Sequence, residues 1–156
     1  MRPALYFFVI ILVLIACDGN RVFEEYKDFN SKSWVVSDTV NFEFEISNSE
    51  LYNLHCDIRS SLDYPYSRIF VNYTLEDSTH HVLASKLVSS YLFDAKTGEP
   101  NGNSGLGDIY DHRFALLQNR TFTPGKYFVK LQQFMRTDTL QGVLAAGIRV
   151  EKVESN

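Results

Sequence analysis

Apolar residues recur at every second position along most of this chain. Val40, Phe42, Phe44 and Ile46 alternate with Asn41, Glu43 and Glu45, the two-residue period of a strand that buries one face and turns a charged face to water. The same period predicts strands at 52–59, 67–75, 82–93, 109–116, 127–135 and 144–152. Ile69, Val71, Tyr73 and Leu75 share one face of the third, and Tyr127, Val129 and Leu131 oppose Phe128, Lys130 and Gln132 in the sixth. No stretch of the chain carries a sustained 3.6-residue apolar period. β-Branched and aromatic residues instead fill the runs between polar turns such as Ser47-Asn48-Ser49, Glu76-Asp77-Ser78, Lys96-Thr97-Gly98 and Pro124-Gly125. The fold class is therefore all-β, a single antiparallel β-sandwich, immunoglobulin-like or jelly-roll-like, of seven or eight strands. The segment from Phe122 through Pro124-Gly125 to Tyr127 fits a tyrosine corner, in which a tight turn lets the phenol reach the backbone.

The first sixteen residues differ from the rest and stand apart from the fold. Arg2 is followed by twelve uninterrupted apolar residues from Ala4 to Ile15, too few for the roughly 20 that span a bilayer as a helix. The run ends in Leu14-Ile15-Ala16-Cys17, which resembles a bacterial lipobox: aliphatic residues, a small residue, then the cysteine that is acylated and becomes the mature N-terminus. The chain divides accordingly into a signal peptide (1–16), a lipidated N-terminus with a short tether (17–21), the sandwich (22–153) and a tail (154–156). Each buried methylene contributes about 0.8 kcal/mol, so two or three acyl chains on Cys17 hold a protein to a membrane where one would not.

Composition excludes several functions. With 15 Lys+Arg against 19 Asp+Glu, a net charge of -4 and a pI near 5.5, the chain lacks the basic surface that displaces counterions from nucleic acid. Two cysteines make at most one bridge and no paired-cysteine zinc site. Cys56 shares a face with Tyr52, Leu54 and Ile58, opposite Asn53, His55, Asp57 and Arg59, so it reads as a core thiol rather than a nucleophile.

The longest stretch without a strand pattern, 94–108, holds four of the eight glycines, and loops of that length in compact domains are usually functional or disordered. No Gly-Lys-Ser/Thr follows, so it is not a phosphate loop. His80 and His81 are adjacent and point apart at strand geometry, which prevents joint chelation. Asp108, Asp111 and His112 flank Tyr110 and could form an acid–base set, or a calcium site with Asn101 and Asn103, but calcium-loop spacing is missing and loop-fixing bonds are the simpler reading. Trp34, Tyr64 and Tyr66 could make a sugar-binding platform, although aromatics at this density more often belong to cores and corners. No serine occupies a nucleophile elbow. The expectation is a noncatalytic protein with no metal and no cofactor beyond covalent lipid.

Longer segments carry a resemblance. Leu14-Ile15-Ala16-Cys17-Asp18, Asn20-Arg21-Val22-Phe23-Glu24-Glu25-Tyr26-Lys27, Ser61-Leu62-Asp63-Tyr64-Pro65-Tyr66, Gly105-Leu106-Gly107-Asp108-Ile109-Tyr110-Asp111-His112 and Leu131-Gln132-Gln133-Phe134-Met135-Arg136-Thr137-Asp138-Thr139-Leu140 are similar to the GldH family of gliding-motility lipoproteins. The resemblance implies an envelope lipoprotein, without enzymatic activity, needed for surface movement in cells whose adhesins are exported and driven by an envelope-spanning motor. It transfers a role to Cys17 alone. Within the shared loops, Asp63, Tyr64, Tyr66, Asp108, Tyr110, Asp111, His112, Arg136 and Asp138 are our candidates for a partner-binding surface, because a pure core needs no Gly, Pro and Asp there. Expected partners are the lipid membrane, through acylated Cys17, and other gliding or secretion proteins of the envelope. Asp18-Gly19-Asn20 lacks the acidic or lysine run resembling a surface-export tag, which favours the periplasmic face of the outer membrane over the cell surface. Asp38-Thr39-Val40, Asp77-Ser78-Thr79 and Asp138-Thr139-Leu140 resemble O-glycosylation sites of such organisms, or are simply Asp-Thr turns. The alternative function is a glycan-binding lipoprotein.

Overall fold

A computed structural model describes residues 19–154. Cys17, the leader before it and the last two residues of the tail lie outside the described residues.

Eleven strands follow one another: β1 (Arg21–Asp28), β2 (Ser33–Val35), β3 (Val40–Ile46), β4 (Glu50–Ser61), β5 (Arg68–Asp77), β6 (Val82–Tyr91), β7 (Asn103–Ser104), β8 (Ile109–Phe122), β9 (Gly125–Gln133), β10 (Thr139–Gln141) and β11 (Val143–Lys152). No helix occurs among the described residues. One sheet runs β1-β11-β4-β8-β7 and the other β3-β9-β5-β6, while β2 and β10 form a separate two-stranded ribbon. Setting aside the three short strands leaves eight. These pair first with last (β1 with β11), second with seventh (β3 with β9), third with sixth (β4 with β8) and fourth with fifth (β5 with β6), all antiparallel. One long hairpin rolled on itself gives that pattern, so of the two sandwich types expected the chain adopts the jelly roll.

The alternation sets which face is buried. Val40, Phe42, Phe44 and Ile46 of β3, Tyr52, Leu54, Cys56 and Ile58 of β4, and Val129 and Leu131 of β9 are all buried in one core between the sheets. Burial pushes the Cys56 thiol well above its ordinary value, with Asp57 adding to the effect, so the thiol stays protonated. The tyrosine corner forms: the Tyr127 hydroxyl donates to the Thr123 carbonyl at 2.9 Å.

The seven expected strands correspond to β3, β4, β5, β6, β8, β9 and β11, with different ends. β8 continues six residues past the expected limit of 116, because exposed Gln118, Asn119, Arg120 and Thr121 hide the continuation. β9 stops at Gln133, two residues early. β1, β2, β7 and β10 were not legible. β1 is charge-rich and draws its register from β11, with a bulge between Arg21 and Phe23, and the other three are only two or three residues long.

Candidate functional site

The rolled hairpin gives the two ends of the sandwich different connections. Three turns at one end, β3 to β4, β5 to β6 and β8 to β9, close within two to four residues. All the long connections lie at the other end: 29–39 carrying β2, 62–67, 92–108 carrying β7, and 134–142 carrying β10. The three shared loop segments of the candidate surface reach this long-loop end, and the β2–β10 ribbon caps it, burying Trp34 and Leu140.

Side chains of the candidate set divide between interior and surface. Tyr64 is buried, donates its hydroxyl to the Arg68 carbonyl at 3.0 Å, and stacks on Phe93 with centroids 6.0 Å apart. Phe93 in turn tilts against His112 at 5.8 Å, and His112 Nε2 lies 2.9 Å from Ser60 Oγ. Desolvation takes the His112 imidazole down to about 4 despite the nearby Asp111 charge, so it is neutral at physiological pH. Tyr64 and His112 are thus internal props rather than contact residues, because strand alternation and the folded-back loop turn both inward. Asp111 alternates to the other face and holds Arg59 through two bonds of 2.8 and 3.3 Å. That geometry separates the acid–base set drawn from Asp108, Asp111 and His112. Among the described residues no three His, Cys, Asp or Glu side chains gather as metal ligands. The sugar platform does not assemble either, since Trp34 and Tyr64 are buried and only Tyr66 is exposed.

Two glycines make this packing possible. A Cβ on Gly142, which has φ +75°, would lie 2.4 Å from the Tyr64 backbone nitrogen. One on Gly102 would lie 2.6 Å from the His112 ring. The 134–142 connection therefore presses directly on the 62–67 connection, and the 92–108 connection on the start of β8.

What remains at the surface is Asp63, Tyr66, Asp108, Arg136 and Asp138, with Tyr110 half-buried. Of these, Tyr66 and Arg136 meet in a groove of about 510 Å³ lined also by Phe70, Leu87, Phe134 and Met135. The groove is held in shape by buried Gln133, whose amide donates to the Thr137 carbonyl at 3.0 Å while its oxygen accepts from the Met135 N–H at 2.8 Å. Phe134 N–H donates to the Phe70 carbonyl and Phe70 N–H to Met135 Sδ. Sequence reasoning missed Gln133, Phe70, Leu87 and Phe134 as site residues. A glutamine in the apolar row Tyr127, Val129, Leu131 was the available signal.

The outer face of the five-stranded sheet is charged but self-satisfied. Arg113 clamps buried Asp57 at 2.6 and 2.9 Å and reaches Glu24 at 2.7 Å, and Tyr26 donates to Asp57 at 3.0 Å. Desolvation, then the Asp57 charge and hydrogen bond, push Tyr26 up to about 12. Arg149 joins Glu151 and Glu24 beside them. The cations named here face carboxylates within the fold, so this face is built as a brace. Asp77 is likewise a turn former, accepting from the N–H and hydroxyl of Thr79 at 2.8 and 2.7 Å.

The fold defines a β-sandwich domain of jelly-roll type, whose elaboration is confined to one end. Residues 21–150 match the family described as GldH lipoprotein. A gliding motility lipoprotein GldH homolog from Christiangramia forsetii is 31% identical over 99% of this chain and 100% of its own length. Gliding motility lipoprotein GldH from Flavobacterium johnsoniae is 28% identical over 90% of this chain and 91% of its own. Among solved structures, the mosquito-larvicidal Cry4Aa toxin of Bacillus thuringiensis overlays 82% of this chain with 22% of its own, at a TM-score of 0.49 and 13% identity. The chain belongs to the GldH lipoprotein family of gliding motility.

Proposed function

We propose that this chain is a noncatalytic, membrane-anchored component of the gliding-motility apparatus, acting as a structural or assembly factor linked to adhesin secretion. Its anchor is acyl-modified Cys17 in the outer membrane, with the domain on the periplasmic face. The observation that carries this reading is the near full-length correspondence with relatives named gliding motility lipoproteins. A binding role is supported by the use of Asp111 and His112 in bonds to Arg59 and Ser60 within the fold, while Asp63, Asp108, Arg136 and Asp138 of the shared loops stay exposed.

Cys17 stands four residues ahead of β1, a tether of at most about 14 Å when extended. β1 begins at the short-turn end. The lipid accordingly holds that end toward the membrane and presents the long connections away from it, toward protein partners.

The test is deletion of the gene, complemented by the native chain and by Cys17→Ala, scoring surface movement, adhesin display, protein level and membrane fractionation. Loss of both traits, restored by the native chain but not by a stable, unanchored Cys17→Ala, is the expected result. A deletion strain that still glides and displays adhesin removes the motility role.

A further inference from the structure

The groove at the long-loop end leaves large apolar side chains in water: Phe134 is 61% exposed, Leu87 50% and Tyr66 42%. Their counterparts on the inner face of the same sheet are dry. No acidic residue lines the groove, and its one charge is Arg136. Arg68 lies over the Phe70 and Tyr91 rings at 5.0 Å each and donates to Ser89. Neither arginine makes an ion pair among the described residues, unlike Arg59, Arg113 and Arg149 of the opposite sheet. On a chain of net charge -4, the groove is a local cationic, apolar spot, complementary to a segment that carries carboxylates beside apolar side chains.

The backbone next to the groove is also open. β6 pairs with β5 alone, so the other edge of Val82–Tyr91 has no strand partner among the described residues. Ser85, Leu87, Ser89 and Tyr91 pair with Thr74, Asn72, Phe70 and Arg68 on the outer face. A strand added along β6 would continue the sheet and bring every second side chain over that face, beside the groove.

We propose that the β6 edge and the groove form the docking site for an extended, acidic segment of a protein partner. The segment adds to β6 as a strand, seats one apolar side chain among Phe70, Leu87 and Phe134, and pairs a carboxylate with Arg136. The inference deepens the proposed binding role and rests on it for the partner's being an envelope protein. The anchor position favours a protein over lipid as occupant, because Cys17 precedes the opposite end of the sandwich.

The test uses the full acylated chain in detergent micelles and a fluorescein-labelled ten-residue peptide alternating Asp with Val and Phe, read by fluorescence anisotropy. Binding is expected to weaken at least about tenfold, or 1.4 kcal/mol, in Arg136→Glu and in Phe134→Asp, with thermal midpoints unchanged because both side chains are exposed. The same peptide with Lys for Asp should bind at least about tenfold more weakly than the Asp form. Equal binding of the two peptides, or no effect of either variant, overturns the proposal. So does a dimer that Phe134→Asp dissolves, which makes a second copy the occupant, or Arg136-dependent binding to anionic phosphatidylglycerol vesicles with no peptide binding, which makes it lipid. Motility fails separately: a deletion strain that still glides removes that role and leaves the peptide result standing.

Discussion

The two ends of the sandwich are built by different means. At the short-turn end each connection is fixed by its own residues: Tyr127 bonds to the Thr123 carbonyl, Tyr52 to the Asn48 carbonyl at 2.9 Å, and the Asp77 carboxylate to the N–H groups of Thr79 and His81. At the long-loop end the bonds join connections far apart in sequence: Ser61 N–H to the Gly142 carbonyl, Gly142 N–H to the Lys32 carbonyl, Val36 N–H to the Asp138 carbonyl, and Phe93 N–H to the Ser67 carbonyl. One end is a set of independent turns, and the other is a single object assembled from four connections. A change at the long-loop end should therefore cost more and spread further.

The largest effect is expected at Gly142. A methyl there meets the Tyr64 backbone at 2.4 Å while φ is held at +75°, so strain and overpacking add to about 4 kcal/mol for Gly142→Ala. Gly98, at φ +73° with open space around its added Cβ, carries the backbone penalty alone, about 1 kcal/mol. Urea denaturation of the two variants measures the difference. Equal losses would mean that the four connections do not bear on one another.

Acid should act on the same end. His112 is buried and its folded value sits near 4, against an ordinary 6.5. The neutral form is favoured by folding, so its contribution is fully present above about pH 6.5 and is lost as pH falls toward 4, by about 3 kcal/mol. Carboxylates titrate in the lower part of that window, so the readout is the difference between the native chain and His112→Asn across pH 7 to 4. A difference that stays flat would place His112 in contact with water.

Between the two ends lies the charged brace. Arg113→Met leaves the buried Asp57 carboxylate with Tyr26 as its remaining side-chain donor, at a cost of about 2 kcal/mol, moderated because Arg113 is itself partly exposed. The loss should add to that of Gly142→Ala within about 0.5 kcal/mol, since the sites share no partner. Coupling beyond that would extend the cooperative unit from the loops into the sheet.

Legibility in the sequence follows the same division. Rows such as Val40-Phe42-Phe44-Ile46 announce strands because burial is decided by each residue's own position, and Pro124-Gly125 announces the corner that Tyr127 completes. β2 and β10 owe their strand form to each other across more than a hundred residues, and nothing local marks Ser33–Val35 as a strand. The candidate loops were found as segments, but not which side chains face out. Tyr64 and His112 turn in because Phe93 and two glycines receive them, contacts that no single stretch encodes. The groove was hidden for the same reason: Phe70, Leu87 and Phe134 come from β5, β6 and the connection after β9.

The smallest expected effect tests the contrast most directly, because the same chemical change can be made at both ends. Tyr127→Phe and Tyr64→Phe each remove one phenol donating to a carbonyl four residues away, at 2.9 and 3.0 Å, and each should cost about 1 kcal/mol. Their reach should differ. Thr123 is exposed and water can replace the lost phenol, so amide exchange should quicken only around 122–127. Tyr64 stacks on Phe93, which leans on His112, so exchange should quicken at Leu92, Phe93 and the start of β8 as well. Sub-global openings follow cooperative units. A Tyr64→Phe response confined to 61–68 would dissolve the long-loop end into separate loops and remove the physical basis for treating it as one surface.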